Sequence, residues 1–347
     1  MEREGGRRGK LQALEAHPEA SRAQGAWTKF HRPRSFVHKG RALERGIELF
    51  LLLNSLVAIM AITLIFLFLF REGVRALTTI PLSQFIGVRV VDYFSNEETF
   101  RYIWQPVGSS PKFSLIPLIS GTFLVALPAT LIASGFGVGC GLFLSEIAKP
   151  RLRELAKPFL ELLAGIPTVV IGFFMLAIGA DWIQRIFHTS YRLNALVGAI
   201  GVSCVIIPVI ASLVEDVLHA VPREIREASY ALGATRSQTV LFAILPYCSP
   251  GIAAAVILGM GRAIGETMIV VMATGNAAQV TFDIFKSVRT MTATIAGELG
   301  AVAQGSNEYY ALFLVGSVLF TITFFMNFVT ELILERVRKR LRMQGQA

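Results

Sequence analysis

The sequence has few charged residues. Lys, Arg, Asp and Glu together make up 16% of the 347 residues, whereas apolar residues make up 53%. Ordinary soluble domains carry about a quarter charged residues. This shortage of charge argues against an ordinary soluble protein and predicts a chain that lies largely in lipid.

Signatures of enzymes and of metal sites are also missing. The sequence has no G-x-x-x-x-G-K-[ST] phosphate loop, so we do not expect it to hydrolyse ATP itself. It has no H-E-x-x-H motif, no G-x-S-x-G motif and no paired catalytic carboxylates. Its three cysteines, Cys140, Cys204 and Cys248, lie in or beside apolar runs without metal-ligand or disulfide spacing. We therefore predict a chain that is not an enzyme and that has no metal site and no cofactor.

The net charge of +9 is concentrated at the two ends of the chain. Residues 1–46 hold 11 Lys and Arg against 5 Asp and Glu, and residues 335–347 hold 5 Lys and Arg against Glu335. Because this charge flanks apolar runs, an anionic lipid surface is a better partner for it than nucleic acid. The first apolar run is too long for a signal peptide. We expect residues 1–46 to be a basic, disordered cytosolic tail.

The apolar residues fall into six runs that are each long enough to span a membrane. They occupy residues 47–70, 115–145, 159–178, 193–214, 247–274 and 310–334. The sequence thus predicts an all-α integral membrane protein with six transmembrane helices, within a transmembrane domain of residues 47–340. The second run contains Pro117 and Pro128, so we expect it to tilt, to kink or to begin outside the membrane core.

The basic residues predict the orientation of these spans. If the N-terminus is inside, the cytosolic segments contain 23 Lys and Arg and the outer segments contain 9. The inner loops still lead by 12 to 9 when the N-terminal tail is left out. Cytosolic loops carry the excess of basic residues, so we predict that both termini are cytosolic.

Two further features concern the outer side and the second span. The first outer loop, residues 71–114, contains Tyr102 and Trp104, which suit a membrane interface. This loop is either a solvated loop with an interfacial anchor or a docking element. Gly137 and Gly141 are four residues apart in the second span, and this spacing predicts close packing against a neighbouring helix.

A polar segment between the fourth and fifth spans, residues 221–246, predicts two short helices. Pro222 suits the start of a helix over residues 223–232, and Gly233 suits the left-handed position that ends it. Thr235 and Gln238 form a capping box for the second helix. This segment either contacts a partner protein or lies on the membrane surface as an amphipathic connector.

Two charged residues, Arg262 and Glu266, lie deep within the fifth apolar run. Charges at this depth cost about 2.5–3.5 kcal/mol or more, so they are candidates for a functional role. Their spacing of four places them on one face of a helix. They either neutralise each other to hold the helices together or line a path on which Arg262 contacts an oxyanion and Glu266 accepts its proton.

The segment between the fourth and fifth spans resembles the EAA loop of ABC importer permeases. The resemblance is carried by Glu227-Ala228-Ser229, Gly233 and Leu245-Pro246. Ser229 replaces the second Ala of the family pattern, and Ala243 stands where Ile is usual. In that family the loop sits in a cleft of the ATPase subunit. The resemblance therefore implies that Glu227, Ala228 and Gly233 are coupling residues.

Residues 45–340 resemble the phosphate permeases of the PstC type. The resemblance rests on four stretches: Trp104-Gln105-Pro106, Leu144-Ser145-Glu146, the run from Ala164 to Phe173, and the run from Gly261 to Met268 with Thr274-Gly275-Asn276 downstream. It implies a type I importer permease core, in spans two to six, in the bacterial inner membrane. It also implies a substrate pathway that includes Arg262, Glu266 and Thr267.

The same resemblance implies a set of partners and a substrate. The partners are an ATPase dimer, a second permease of the PstA type and a periplasmic phosphate-binding protein, and the substrate is inorganic phosphate. The nearest alternative is a permease for another oxyanion, such as sulfate, molybdate or tungstate. A more distant alternative is a channel or carrier that works without ATP, against which the EAA-like segment argues.

Overall fold

The computed structural model describes residues 37–91, 98–108 and 110–344, with side chains described in residues 45–87, 100–108 and 110–336. Six of its helices are long and apolar enough to cross a membrane, which confirms the predicted helical class. They are Arg45–Thr79, Ile116–Ile147, Thr168–Phe187, Ala195–His219, Arg236–Ile264 and Asn307–Arg336. The strands within the described residues form only two short hairpins.

The first helix, α1, is Val37–Thr79. Residues 1–36 of the predicted tail lie outside the described residues. Residues 37–46 form the start of α1. The chain divides into two compact units after Phe66. In the first unit, Phe50 is 65% exposed. An apolar helix surface of this kind suits contact with lipid.

The second unit begins with the rest of α1 and continues into the outer loop. This loop contains helix α2 (Leu82–Ile86), the antiparallel hairpin of β1 (Val88–Val91) with β2 (Glu98–Arg101), and the antiparallel hairpin of β3 (Trp104–Gln105) with β4 (Lys112–Phe113).

The prediction that Trp104 lies at the membrane interface is wrong. Its side chain is 3% exposed and makes an edge-on contact with Phe113, with 6.2 Å between the ring centroids. The β3–β4 pairing turns both rings into a core cluster that also contains Leu118 and Leu312. Tyr102 remains 42% exposed.

The second span is α3 (Ile116–Leu142), which continues as a π-helical segment, Phe143–Ile147. Pro117 lies in its first turn, and Pro128 lies inside the helix. The fourth span, α7 (Ala195–His219), packs along α3.

Glycines allow this close approach of α3 and α7. A methyl group at Gly137 would lie 2.9 Å from Ile210, and one at Gly141 would lie 2.8 Å from the carbonyl oxygen of Ala211. The predicted packing role of the two glycines is confirmed.

The third span differs from the predicted range of residues 159–178. An amphipathic helix, α4 (Pro150–Ala164), comes first and buries no residue. The chain then breaks before Thr168, and the span follows as α5 (Thr168–Phe174), a π-helical segment (Met175–Gly179) and α6 (Ala180–Phe187). Pro167 has no N–H to continue helix α4, which is why α4 ends and a new helix begins there.

The rest of the chain consists of helices, and the longest connection between them is the segment of residues 274–290. They are α8 (Arg223–Ala231), α9 (Arg236–Gln238), a π-helical segment (Thr239–Ile244), α10 (Leu245–Ile264), α11 (Met268–Ala273), α12 (Met291–Glu298) and α13 (Asn307–Gln344). The largest core cluster joins side chains of α3, α7, α10 and α11. This core holds the interrupted end of α10 inside the bundle.

Candidate functional site

The fifth span is interrupted, whereas the sequence predicted one continuous helix over residues 247–274. The helix begins earlier, at Arg236, and ends at Ile264. The N–H of Gly265 donates to the carbonyl of Gly261 over 3.2 Å, and α11 starts three residues later. Non-helical backbone at membrane depth is tolerated where protein buries it or where it lines a cavity. The break therefore marks a candidate site.

Arg262 lies just before this break and Glu266 lies within it, and the two side chains occupy different environments. The Nη1 atom of Arg262 lies 3.5 Å from Oε2 of Glu266. The Arg262 side chain is 47% exposed, whereas that of Glu266 is 4% exposed. Arg262 lies in the last turn of α10 and Glu266 in the break itself, so they do not share the face of one helix. The pair presents its cation outward and keeps its carboxylate inside.

Both oxygens of the Glu266 side chain have partners. Oε1 accepts a hydrogen bond from the backbone N–H of Met268 over 3.2 Å, and Oε2 faces Arg262. The carbonyl of Glu266 accepts a hydrogen bond from the hydroxyl of Thr292 over 2.7 Å. These contacts fix the carboxylate at the start of α11 and orient the guanidinium of Arg262.

Thr267, the third predicted pathway residue, and the glycines of this region have separate roles. The hydroxyl of Thr267 donates to the carbonyl of Gly265 within the break, over 3.3 Å. Gly259 is a packing residue, because a methyl group there would lie 2.8 Å from Ile210. A methyl group at Gly261 would lie 3.5 Å from the amide oxygen of Asn327. The space around Gly261 and Gly265 is less crowded than that around Gly259.

Two threonines that the sequence analysis missed support the break from α12. Thr290 caps α12 by accepting a hydrogen bond from the N–H of Ala293 over 3.1 Å. Its hydroxyl lies 3.0 Å from that of Thr292, which in turn donates to Glu266. A Thr followed by a helical run is a recognisable capping signal. Its link to Glu266, 26 residues earlier, depends on the fold.

A second ion pair, also missed, connects Arg289 to Glu298 of α12, and the same carboxylate binds the outer loop. Arg289 Nη1 lies 2.7 Å from Oε1 of Glu298, and the indole N–H of Trp104 donates to Oε2 of Glu298 over 3.0 Å. The side chains of Arg289 and Glu298 are 23% and 17% exposed. Glu298 therefore ties the β3–β4 hairpin to the segment that supports the break.

On the opposite side of the bundle, the segment 221–246 has the two-helix form that the sequence predicted. Gly233 ends α8 with φ of +84°, and its N–H donates to the carbonyl of Tyr230 over 2.9 Å. The Thr235–Gln238 capping box is present in both directions. Helix α9 then continues through the π-helical turn into α10 without a break. Pro246 has no N–H to donate, and the changed hydrogen-bond register of the π-helical turn accommodates this missing donor.

This two-helix segment exposes polar and apolar residues together. Glu227, Ala228 and Gly233 are all exposed. The side chain of Leu232 is 89% exposed and that of Phe242 is 78% exposed. Ile225 of α8 packs on the core, whereas Ala228 and Leu232 are exposed.

Glu146, at the end of the second span, joins both helices of this segment. Its Oε2 atom lies 2.6 Å from Nη1 of Arg226 on α8. Its carbonyl accepts a hydrogen bond from Arg236 on α9. The hydrogen bond to Glu146 raises the pKa of Arg226, so Arg226 stays charged at every physiological pH. Sequence reasoning noted Glu146 only as part of a family motif.

No group of three or more His, Cys, Asp or Glu side chains that could hold a metal ion occurs among the described residues. Cys140, Cys204 and Cys248 are free thiols.

Comparison with known proteins assigns the chain to a family. Residues 137–342 match the family described as "Binding-protein-dependent transport system inner membrane component". The chain is 34% identical over 252 residues to the probable ABC transporter permease protein YqgH of Bacillus subtilis, covering 71% of this chain and 82% of that protein. It is 32% identical over 256 residues to the phosphate transport system permease protein PstC of Mesorhizobium japonicum, covering 68% and 77%.

Two solved structures share the fold. A chain of the inward-facing MetNI methionine ABC transporter matches with a TM-score of 0.51 and 19% identity, over 64% of this chain and 95% of that one. A chain of a bacterial ABC transporter involved in alginate import matches with a TM-score of 0.50 and 15% identity, over 84% and 99%.

The family match covers more than half of this chain. Permeases of this kind are non-catalytic, multi-pass inner membrane components that work with ATPase subunits and a binding protein. The chain belongs to the inner membrane components of binding-protein-dependent transport systems, the permease subunits of ABC importers.

Proposed function

We propose that this chain is the permease subunit of an ATP-driven importer that carries inorganic phosphate across the bacterial cytoplasmic membrane. The observation that carries the proposal is Arg262, a half-exposed cation at the interruption of a membrane-spanning helix. Broken helices form the substrate sites of many transporters. The PstC relatives, at about 30% identity, support phosphate as the substrate.

The chemistry of Arg262 suits an oxyanion. Its guanidinium is permanently charged and presents a planar set of donors that matches two oxygens of a phosphate. The buried carboxylate of Glu266 holds one edge of the side chain and leaves the rest exposed. In this proposal, Arg262, Glu266 and Thr267 lie on the substrate pathway. Glu266 orients Arg262 and accepts a hydrogen bond from the hydroxyl of hydrogen phosphate, which sulfate lacks at neutral pH.

The two-helix segment is the proposed contact with the ATPase. Leu232 and Phe242 are exposed apolar side chains of the same segment as the exposed Glu227. Exposed apolar side chains of this size favour a protein partner. Glu227, Ala228 and Gly233 would lie in that contact, and ATP-driven closure would move the segment. Both termini would then lie in the cytosol, in agreement with the distribution of basic residues.

The proposed complex contains this chain, a second permease of the PstA type, two ATPase subunits and a periplasmic phosphate-binding protein, all surrounded by membrane lipid. The main alternative is the same assembly with another oxyanion, because the guanidinium of Arg262 also matches the oxygens of sulfate.

ATP-dependent uptake of radiolabelled phosphate into proteoliposomes tests this proposal. The reconstituted complex is prepared with the parent chain, with Arg262→Gln and with a control, Arg151→Gln, which alters an exposed arginine of α4. We expect the parent and the control to import phosphate without competition from sulfate, and Arg262→Gln to assemble without importing it. A parent complex that hydrolyses ATP and moves sulfate but no phosphate would contradict the substrate assignment.

A further inference from the structure

The inner end of the second span is attached to both helices of the segment 221–246 through one residue. We propose that Glu146 is a positioning residue that transmits movement of this segment to the second span. The inference rests on the proposed role of the segment as the ATPase contact. It adds a specific route by which that contact reaches the helices of the bundle.

The side chain of Glu146 supplies the first attachment. The carboxylate is buried, with 6% of the side chain exposed, and it lies 2.6 Å from Arg226 of α8. A buried carboxylate is stable only when it is paired, so α8 cannot move away from Glu146 without exposing or isolating both charges. Movement of α8 and movement of Glu146 are therefore linked.

The backbone of Glu146 supplies the second attachment. Its carbonyl accepts a hydrogen bond from Arg236, the first residue of α9. This carbonyl is available because Phe143–Ile147 is π-helical and ends at Ala148, whose backbone is extended. A π-helical turn changes the hydrogen-bond register and is often found at functional sites. The two arginines, Arg226 and Arg236, thus hold one residue from the two helices of the segment.

A third contact extends the link to the fourth span. Arg226 also donates through Nη2 to the carbonyl of Leu218 over 3.0 Å, near the end of α7. The hydroxyl of Ser145 lies 3.3 Å from Nδ1 of His219, the last residue of α7. Because α3 and α7 also pack closely through Gly141, displacement at Glu146 acts on both helices as one body. Such contiguous, packed networks are the physical means by which distant sites are coupled.

The test compares the parent complex with Glu146→Gln, which has nearly the same shape and no charge. The first readout is the number of phosphate ions imported per ATP hydrolysed, because this ratio does not depend on how much complex folds. We expect Glu146→Gln to hydrolyse ATP while the ratio falls about fivefold or more, the lower end of typical coupling effects. Arg226→Gln should lower the ratio similarly, and the double variant should be no worse than either single variant.

A second readout does not depend on the substrate. Cys140 lies on the second span six residues before Glu146 and is partly exposed. In a chain with Cys204→Ser and Cys248→Ala, the alkylation rate of Cys140 is measured with and without bound ATP. We expect ATP to change this rate when Glu146 is present and to leave it unchanged in Glu146→Gln.

Glu154→Gln is the matched control, since Glu154 is an exposed carboxylate on α4 with no ion pair inside the described part of the chain. It should behave like the parent in both readouts. If Glu146→Gln keeps the parental ratio, or if ATP alters Cys140 alkylation equally with and without Glu146, the inference is wrong. If ATP has no effect on Cys140 even in the parent, it is also wrong. If the parent moves no phosphate but the Cys140 effect requires Glu146, the substrate proposal fails and this inference stands.

Discussion

The hydroxyl of Ser229 on α8 lies 3.0 Å from the hydroxyl of Thr239, which is completely buried at the start of the π-helical segment after α9. Ser229 is the position at which the sequence departs from the Ala of the EAA pattern. The departure therefore has a structural use, because the serine provides a partner for a buried polar group that an alanine would leave unpaired.

Ser229→Ala should destabilise the attachment of α8 to the fifth span. Leaving the Thr239 hydroxyl without a partner costs about 1–3 kcal/mol. Thermal unfolding of the purified complex measures this loss. The double variant Ser229→Ala with Thr239→Val removes both polar groups and should recover most of the stability. Equal unfolding temperatures for the parent and Ser229→Ala would show that the contact has no energetic importance.

Two neighbouring glycines of the second span should respond oppositely to a methyl group. Gly141→Ala places the methyl group 2.8 Å from the carbonyl oxygen of Ala211, so we expect a loss of about 1–3 kcal/mol from overpacking. A methyl group at Gly139 would have no neighbouring atom within 4 Å. Gly139→Ala should be neutral or stabilising by up to about 1 kcal/mol. Thermal unfolding in the same detergent compares the two, and similar shifts in both variants would contradict this packing.

Glu298→Gln should loosen the outer loop. It leaves the Arg289 guanidinium without its carboxylate partner, and a hydrogen bond to a charged group contributes about 1.5–3 kcal/mol. Gln can still accept from the indole of Trp104, so we expect the β3–β4 hairpin to loosen without detaching. Quenching of tryptophan fluorescence by acrylamide should increase modestly. The control is a chain with Trp104→Phe. Acrylamide quenching of its remaining tryptophans should not change when Glu298 is replaced.

Glu266→Gln should weaken the preference for phosphate over sulfate. An amide oxygen can still accept the Met268 N–H, so the break should keep its shape, while the carboxylate proposed to accept a hydrogen bond from phosphate is lost. Competition by sulfate for phosphate uptake is measured in proteoliposomes. A variant that imports phosphate and excludes sulfate as well as the parent would show that Glu266 does not select phosphate by accepting its hydrogen bond.

Arg262→Lys separates charge from geometry. Lysine keeps the positive charge but lacks the planar fork of donors. We expect phosphate transport to fall at least about tenfold, equivalent to about 1.4 kcal/mol. The same exchange at exposed Arg151 should leave transport unchanged. Full transport by Arg262→Lys would indicate that charge alone is sufficient.

The sequence predicted those features that depend on local chemistry. Gly233 and the Thr235–Gln238 capping box were predicted correctly, because a left-handed turn and a reciprocal cap each require particular residues at fixed spacing. The number of spans was also predicted, since a long apolar run has few alternatives to a membrane helix.

Features that depend on contacts between distant segments could not be predicted. The break at Gly265 lies inside an apolar run that continues into α11, so the composition of the sequence did not predict where the helix ends. Trp104 looked like an interfacial residue until pairing with β4 buried it. Glu146 is 80 residues from Arg226 and 90 residues from Arg236 in the sequence, and no periodic pattern in the sequence predicts these contacts.

The unbroken helix that precedes the interruption has a mechanical consequence. From Arg236 to Ile264 it contains 29 residues and is therefore roughly 43 Å long, at about 1.5 Å per residue. Its base lies in the proposed ATPase contact, and Arg262 lies near its tip. Such a rod works as a lever arm: for this length, a tilt of about 5° at the base displaces the tip by roughly 4 Å. A displacement of that size is greater than a hydrogen-bond length, so in the proposed function a slight tilt would be enough for the guanidinium to release its oxyanion.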